Sequence, residues 1–500
     1  MDASGTDAPD APASTLKPGA IGFIDALVIG LAATSPAYSL VAVLGPIVAL
    51  VGVFAPGVLL ASFVPMLLIA SAFYHLNKVD QDCGTTFSWV TRAMGPWFGW
   101  LGGWAITMTG VLVIGSLADV GVRFGLLTLG LDDLAASKPA VTVGAVLLIL
   151  LMTWICALGT ELSARVQNSL IIAQVAALLA FAVAALVIVA RGGAASGAAA
   201  PSLSWFNPFG AGGASLTGGL LLGVFAYWGW ESAVNLTEET EDSATAPGKA
   251  AVLSTVILLV TYVGVAFALV AQAGPDFLTE NAGEEELIFG LLATQVLGGW
   301  DWMVLLAVAT SAVASTQTTI IPASRTALSM ARRHALPRRF AHIHPRHRTP
   351  DVSTWWVAGI AIVWYVAVGF ISENALFDSL SALSLLIASY YALTGIACAL
   401  YYRKHLTESI GTLFMIGIGP VVGSLLLIWL LVESVRSMAD PANSYTGQAW
   451  FGLGPPLVIG IAVFLAGVVV MLIWRTRGTA YWQERSGVVD PHLVEHGTRR

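Results

Sequence analysis

Within the apolar run 21–50 the chain reads Ala32-Ala33-Thr34-Ser35-Pro36-Ala37-Tyr38. Proline disfavours helical geometry at the residue before it. Serine is a good N-cap and proline a good first helical residue. Ser35-Pro36 therefore predicts a second half-helix starting part-way along a segment long enough to cross a bilayer. N–H groups freed at such a break carry a positive partial charge. The alternative is a plain proline kink whose backbone groups are satisfied by neighbouring side chains.

A second run is interrupted in a matching way. Its apolar part, Leu216 to Trp230, is too short to cross alone. Glu231, Asn235, Thr237, Glu238, Glu239, Glu241 and Asp242 follow. Gly223 and Gly229 weaken the helix before this polar stretch. Glu231 falls at membrane depth, where a carboxylate is costly and is a functional-site candidate by default. Its structural alternative is to bond the backbone of an unwound segment or to pair with another helix.

The composition agrees with a membrane location. Of 500 residues, 57% are hydrophobic and 11% charged, and mean hydropathy is +0.79. A soluble domain is about a quarter charged. A secreted disulfide scaffold, a disordered chain and a nucleic-acid binder are excluded, and the net charge of −7 opposes phosphate binding. Cys83, Cys156 and Cys398 are far apart, in no metal-like spacing, and read as buried small hydrophobes. Residues 1–20 lack the basic start and apolar core of a signal peptide and read as a disordered cytosolic tail.

Twelve apolar runs are expected as spans: 21–50, 53–75, 95–121, 140–159, 166–190, 216–236, 251–273, 300–330, 353–371, 377–402, 411–433 and 452–474. Runs this long imply helices, because hydrocarbon offers the backbone no outside partner. The expected fold is an all-α membrane protein. With both termini inside, 19 of the 23 Lys and Arg fall on the cytosolic side, which satisfies the positive-inside rule. Arg123, Lys138, Arg191 and Arg436 fall outside. The acidic loop with Asp276, Glu280, Glu284, Glu285 and Glu286 is also outside, and has room for a short surface helix.

The two interruptions sit at corresponding places if the chain is two five-span repeats plus two extra spans. Five is odd, so the second repeat is inverted. Broken segments in matching positions point to a transporter site at the midplane. The expected division is a tail at 1–20, a first repeat at 21–190, a second, inverted repeat at 191–404, helices 11 and 12 at 405–474, and a cytosolic tail at 475–500.

Several motifs resemble the amino acid–polyamine–organocation (APC) superfamily of permeases. Phe225-Ala226-Tyr227-Trp228-Gly229-Trp230-Glu231 resembles F-A-F-x-G-F-E and leads into Thr237-Glu238-Glu239, like the family's E-E stretch. Cys83 to Pro96 is similar to G-G-x-Y-x-Y-V-x-R-A-x-G-P at the start of span 3. Ser324-Arg325 to Pro337, with His344-Pro345-Arg346 and Thr349-Pro350, resembles the loop after span 8. The resemblance covers residues 20 to 404. It implies a five-plus-five inverted-repeat fold with broken helices 1 and 6, two C-terminal helices, and alternating access. It also implies an amino acid or related amine held between spans 1 and 6, with spans 3, 8 and 10 completing the pocket.

By position, Thr34-Ser35-Pro36 matches the family's G-S-G, whose amides usually hold a carboxylate. Phe225 matches an aromatic gate, and Glu231 the glutamate of span 6. Expected substrate contacts are Ala33, Thr34, Ser35, Ala37, Tyr38, Phe225, Ala226, Tyr227, Gly229, Trp104 and Ser311. Expected coupling or gating residues are Glu231, Gln174, Phe225 and Ser315. The chain departs from the family at two places. Pro36 has no N–H to donate, which favours a substrate headgroup bound differently, as in an amine without a carboxylate. Gln174 stands where proton-coupled relatives often carry lysine, and it cannot titrate. A proton would then use Glu231. Exchange, facilitated diffusion, and sodium held by Ser315, Thr316, Thr318 and Thr319 are the alternatives. Aromatic faces at Phe225, Tyr227, Trp228, Trp230, Trp97, Trp100 and Trp104 suit an ammonium group, although Trp is also common at membrane interfaces.

His334, His342, His344 and His347 read as part of a basic cytosolic loop that meets anionic lipid headgroups, with no carboxylate or cysteine to complete a metal site. Asp25 and Asp119, near span ends, read as solvated or structural. Neither cofactor nor metal is expected. The oligomer is a monomer or a homodimer, with spans 11 and 12 free for packing or dimer contacts. A transporter-fold receptor or non-transporting subunit is the rival from another class.

Overall fold

The structure, a computed structural model, describes residues 15–194, 197–281, 292–371, 373–477 and 479–484. Most of both terminal tails, and Glu284, Glu285 and Glu286 of the acidic loop, lie outside the described residues. Among the described residues, ten stretches are long and apolar enough to cross a membrane. The first, Phe23–Val79, has 57 residues. At 1.5 Å per residue it would extend about 85 Å if continuous, far beyond the roughly 30 Å of a hydrocarbon core. It is instead three helices: α1 (Phe23–Ala33), α2 (Pro36–Val51) and α3 (Ala55–Val79).

A short helix α4 (Thr86–Met94) precedes α5 (Pro96–Thr128). Gly95 between them has φ 98°, which lets Pro96 begin a new helix direction. Then follow α6 (Lys138–Leu158), α7 (Thr160–Ala190), α8 (Gly213–Ala226), α9 (Ala246–Ala273), α10 (Trp302–Arg332), α11 (Asp351–Ile371), α12 (Glu373–Tyr401), α13 (Gly419–Ala439) and α14 (Pro455–Arg475). Between α8 and α9 the chain forms a 3₁₀ segment, Trp230–Glu239. The acidic loop does begin with a short helix, Pro275–Glu280.

The packing of α5 against α10 sets the frame. Gly103, Gly110 and Gly121 of α5 face Met330, Ala323 and Val313 of α10. The two helices are therefore antiparallel, and their backbones approach closely because the glycines carry no side chain. This register places Arg325 and Arg332 at one end of the bundle and residues 116–124 toward the other.

The first end is closed by ion pairs. Arg325 Nε is 2.6 Å from Glu239 Oε2, with both side chains at most 2% exposed. Its Nη2 reaches Glu239 Oε1 and Thr160 Oγ1, each at 3.1 Å. Arg332 pairs with Glu238 at 2.8 Å, Arg92 with Asp80 at 2.7 Å and Lys17 with Glu161 at 2.5 Å. The N-terminal segment is pinned to the same region, because Glu241 N–H donates to Ile21 O at 2.8 Å. His342 contacts Asp351 at 2.7 Å. The histidine loop thus has a carboxylate partner nine residues along, which its sequence spacing did not suggest.

Burial pushes the Asp80 carboxyl up to about 7 against the pull of Arg92. A raised folded-state value stabilises the fold below the ordinary carboxylate range, and this stability is lost as pH rises through about 7. The melting temperature of the wild type should fall relative to Asp80→Asn from pH 4 to pH 7 and run parallel to it above pH 8. Parallel curves throughout would contradict this.

Candidate functional site

The two interruptions meet. α1 ends at Ala33 and α2 starts at Pro36, with Ser35 between them at φ 51°, ψ 61°. The sequence predicts Ser35 as a side-chain cap. It stands at the cap position but makes no such bond. Its Oγ lies 3.1 Å from Ser311 Oγ of α10 instead. Ser315 Oγ, one turn further on, donates to Ala33 O at 3.0 Å. Thr34 Oγ1 donates to Leu31 O at 2.7 Å, and Ser39 Oγ to Thr34 O at 2.6 Å. Neighbouring hydroxyls thus satisfy carbonyls left at the break, as a helix end in an apolar setting requires.

The second break lies at Tyr227–Gly229. Gly223, expected to weaken the helix, stays inside α8, where its bare Cα makes room for Ser62. Gly229 has φ +121°, and a Cβ on it would sit 2.6 Å from Ala33 O. The backbone of one break therefore rests directly on that of the other, and only glycine fits. Tyr262 of α9 caps the end of α8, donating to Ala226 O at 3.0 Å. In Gly229→Ala, strain at positive φ costs about 1–3 kcal/mol and the clash adds to it. The melting temperature should fall. Gly264→Ala, which has nothing within 4 Å, should be neutral or slightly stabilising. Equal melting temperatures for the two variants would break the argument.

Glu231 follows the second break and is 2% exposed. Tyr390 donates to its Oε1, and Tyr391 donates to Oε2 at 2.5 Å. Trp228 Nε1 donates to Tyr390 Oη at 2.5 Å. Trp230 stacks on Tyr391 with ring centroids 5.3 Å apart. Both carboxylate oxygens are thus held by phenol hydroxyls rather than by a cation. Tyr390, Tyr391 and Tyr262 did not emerge from sequence reasoning. The Tyr390-Tyr391 pair in an apolar helix was the signal available for two of them.

The other expected residues divide. Ala33, Thr34, Ser35, Gly229, Ser311 and Ser315 come together at the breaks, and Ala37, Tyr38, Ala226 and Tyr227 adjoin them in sequence. Phe225 instead faces α12 and α13, beside Ile387 and Leu430. Trp104 turns toward α14, where Nε1 donates to Val463 O at 2.9 Å and its ring covers Gly467. Gln174 is fully buried on α7, and neither amide atom has a partner among the described residues. Tyr227 Oη is likewise buried without one. Buried polar atoms of this kind are usually satisfied by water or ligand.

Among the described residues, Asp82, Cys83 and Glu238 could hold a metal ion by spacing. Their chemistry opposes it. Glu238 is engaged by Arg332 through both oxygens. Burial pushes the Asp82 carboxyl up, but Arg333, Ser329 and the Gly84 N–H outweigh it and hold it below the usual range. Burial, with Glu238 adding to it, keeps the Cys83 thiol well above its ordinary value, so it stays protonated and is a poor ligand.

The long apolar helices, the paired breaks and the buried carboxylate define a multi-pass membrane protein with two discontinuous helices in contact. The chain belongs to the amino acid permease family, which it matches over residues 21–473; this is a family of transporters rather than enzymes. It is 29% identical to an uncharacterized transporter of Mycobacterium tuberculosis, over 66% of this chain and 70% of the relative. It is 25% identical to the branched-chain amino acid permease BcaP of Lactococcus lactis, over 82% and 87%. It is 22% identical to the methylthioribose transporter of Bacillus subtilis, over 79% and 82%.

Proposed function

We propose that the chain is a secondary transporter that moves an apolar α-amino acid across the cell membrane by alternating access, coupled to a proton through Glu231. The observation that carries this is the contact of the two helix breaks, with Glu231 one residue beyond the Trp230 that follows Gly229. In this reading Phe23–Val79 crosses twice and Gly213–Glu239 makes one broken crossing, which gives twelve crossings. Residues 21–190 and 191–404 form the inverted repeats, 405–474 the two added helices, and both termini are cytosolic. The ion pairs of Arg325 and Arg332 then close the cytosolic end.

The first intrahelical bond of α2 is Ser39 N–H to Ser35 O. The amides of Ala37 and Tyr38 are therefore its N-terminal donors, and they would hold the substrate carboxylate. Branched-chain amino acids are the first to test, because BcaP carries that name. One observation favours a second reading, transport of an amine without a carboxylate. Pro36 has no N–H, and the Thr34 and Ser35 amides are already bonded to Leu31 O and Ala32 O at 3.2 and 3.1 Å.

Uptake into proteoliposomes, with and without an imposed pH gradient, decides between these readings. Leucine, isoleucine and valine uptake that rises with an inward proton gradient is expected. Uptake of isoamylamine but not leucine would favour the amine. Uptake that ignores the gradient and needs internal substrate would indicate exchange, and dependence on sodium would move coupling to the Ser315 region. Binding without any flux would mark a receptor.

A further inference from the structure

A cavity of about 790 Å³ lies at the end of the bundle away from Arg325. Tyr38 is its one contribution from the breaks. Ser116, Asp119 and Arg123 line it from one face of α5, joined by Tyr365 of α11 and Lys138 at the start of α6. Residues three and four apart share a helix face, so the three α5 groups form a continuous polar strip, and apart from Lys138, Thr142 and the two tyrosines the rest of the wall is apolar.

This strip is built with care for Asp119. A Cβ on Gly115 would lie 2.4 Å from Tyr365 Cβ. The missing side chain lets α11 come close enough for Tyr365 to donate to Asp119 Oδ1 at 2.5 Å. Arg123 Nη2 stands 3.5 Å from Oδ2. A carboxylate offers about four lone-pair sites, so acceptor capacity remains. Ser116 is 2% exposed, lines the cavity, and its Oγ has no hydrogen-bond partner among the described residues. A hydroxyl in that position can accept from an ammonium group that Asp119 attracts.

We propose that this cavity is a second binding site for a zwitterionic amino acid. Asp119 and Ser116 take the ammonium group, and Arg123 and Lys138 attract the carboxylate. The cavity already holds charges of both signs, and a zwitterion adds one of each without leaving either uncompensated. Its volume falls in the usual range for small-molecule sites, about 300–1,000 Å³. Glu231, Tyr390, Tyr391, Ser35 and Ser311 do not line it, so it meets the site at the breaks only at Tyr38 and its charged groups are distinct from those of that site. The proposal rests on the reading of the chain as an amino-acid transporter.

Equilibrium dialysis of the full-length protein in nanodiscs against radiolabelled L-leucine tests it. Two leucines per chain are expected. Asp119→Asn should bind one, and Ser116→Ala should weaken one of the two sites at least about tenfold, the loss of roughly one charge-assisted hydrogen bond. The serine variant keeps the test sound if the aspartate variant folds poorly. One leucine per chain, with the same affinity in Ser116→Ala, overturns the second site and leaves the transport reading standing. No bound leucine overturns it as well, and the uptake panel then judges the transport reading separately.

Discussion

Glu231→Gln should abolish the pH dependence of uptake and lower its rate by about tenfold or more while leaving most of the protein folded. The reason is geometric. The carboxylate receives Tyr390 on one oxygen and Tyr391 on the other. An amide has one oxygen to accept with and presents N–H donors on the other side. One tyrosine hydroxyl then meets a donor and must turn or remain unpaired, at a cost of about 1–3 kcal/mol. A rate effect of tenfold corresponds to about 1.4 kcal/mol, so this disturbance alone suffices. Loss of a titratable group should in addition flatten the pH profile. Tyr390→Phe separates the two effects, because it removes one hydrogen bond and the link to Trp228 but keeps the carboxylate. It should slow uptake and retain pH dependence. A Glu231→Gln protein that keeps the wild-type pH profile would remove Glu231 from coupling.

The other large effect is expected at the closed end. Arg325 and Glu239 are nearly inaccessible, and Thr160 also donates to Glu239. Removing one partner of a buried pair costs about 3–5 kcal/mol, because it strands the other charge. Arg325→Met should therefore lower the melting temperature sharply. Replacing both partners, Arg325→Met with Glu239→Leu, should recover much of the loss, since no buried charge remains. A second readout follows the opening of this end. Cys83 is fully buried, and its thiol lies 3.5 Å from Arg325 O. Its labelling by a thiol reagent should accelerate in the single variant. Unchanged stability together with unchanged labelling would mean that the pair is not what closes this end.

Much of the fold was legible in the sequence because hydrocarbon is a strict solvent. Long apolar runs must be helical there, and a Ser-Pro or a glycine followed by carboxylates must interrupt them. That reasoning located both breaks and singled out Glu231, and the motifs around Phe225–Glu231 and Cys83–Pro96 gave the family. Side-chain direction was less accessible. Trp104 and Phe225 lie in the right helices, yet they turn toward α14 and toward α12 and α13. Helical periodicity says which residues share a face, but when every face is apolar it does not say which neighbour that face meets.

The sequence by itself thus determined the membrane class, the two interruptions, the buried carboxylate and the transporter family. Each of these follows from local chemistry, namely hydropathy, proline and glycine geometry, and the cost of charge in hydrocarbon. Only the tertiary structure decided what Glu231 bonds to, that Gly229 rests on the Ala33 carbonyl, and that Arg325 meets Glu239 across 86 positions. It alone gathered Ser116, Asp119 and Tyr365 around one cavity. These are pairings between distant segments, fixed by how helices pack, and missing side chains at Gly103, Gly110, Gly115 and Gly229 are what allow the backbones to come that close.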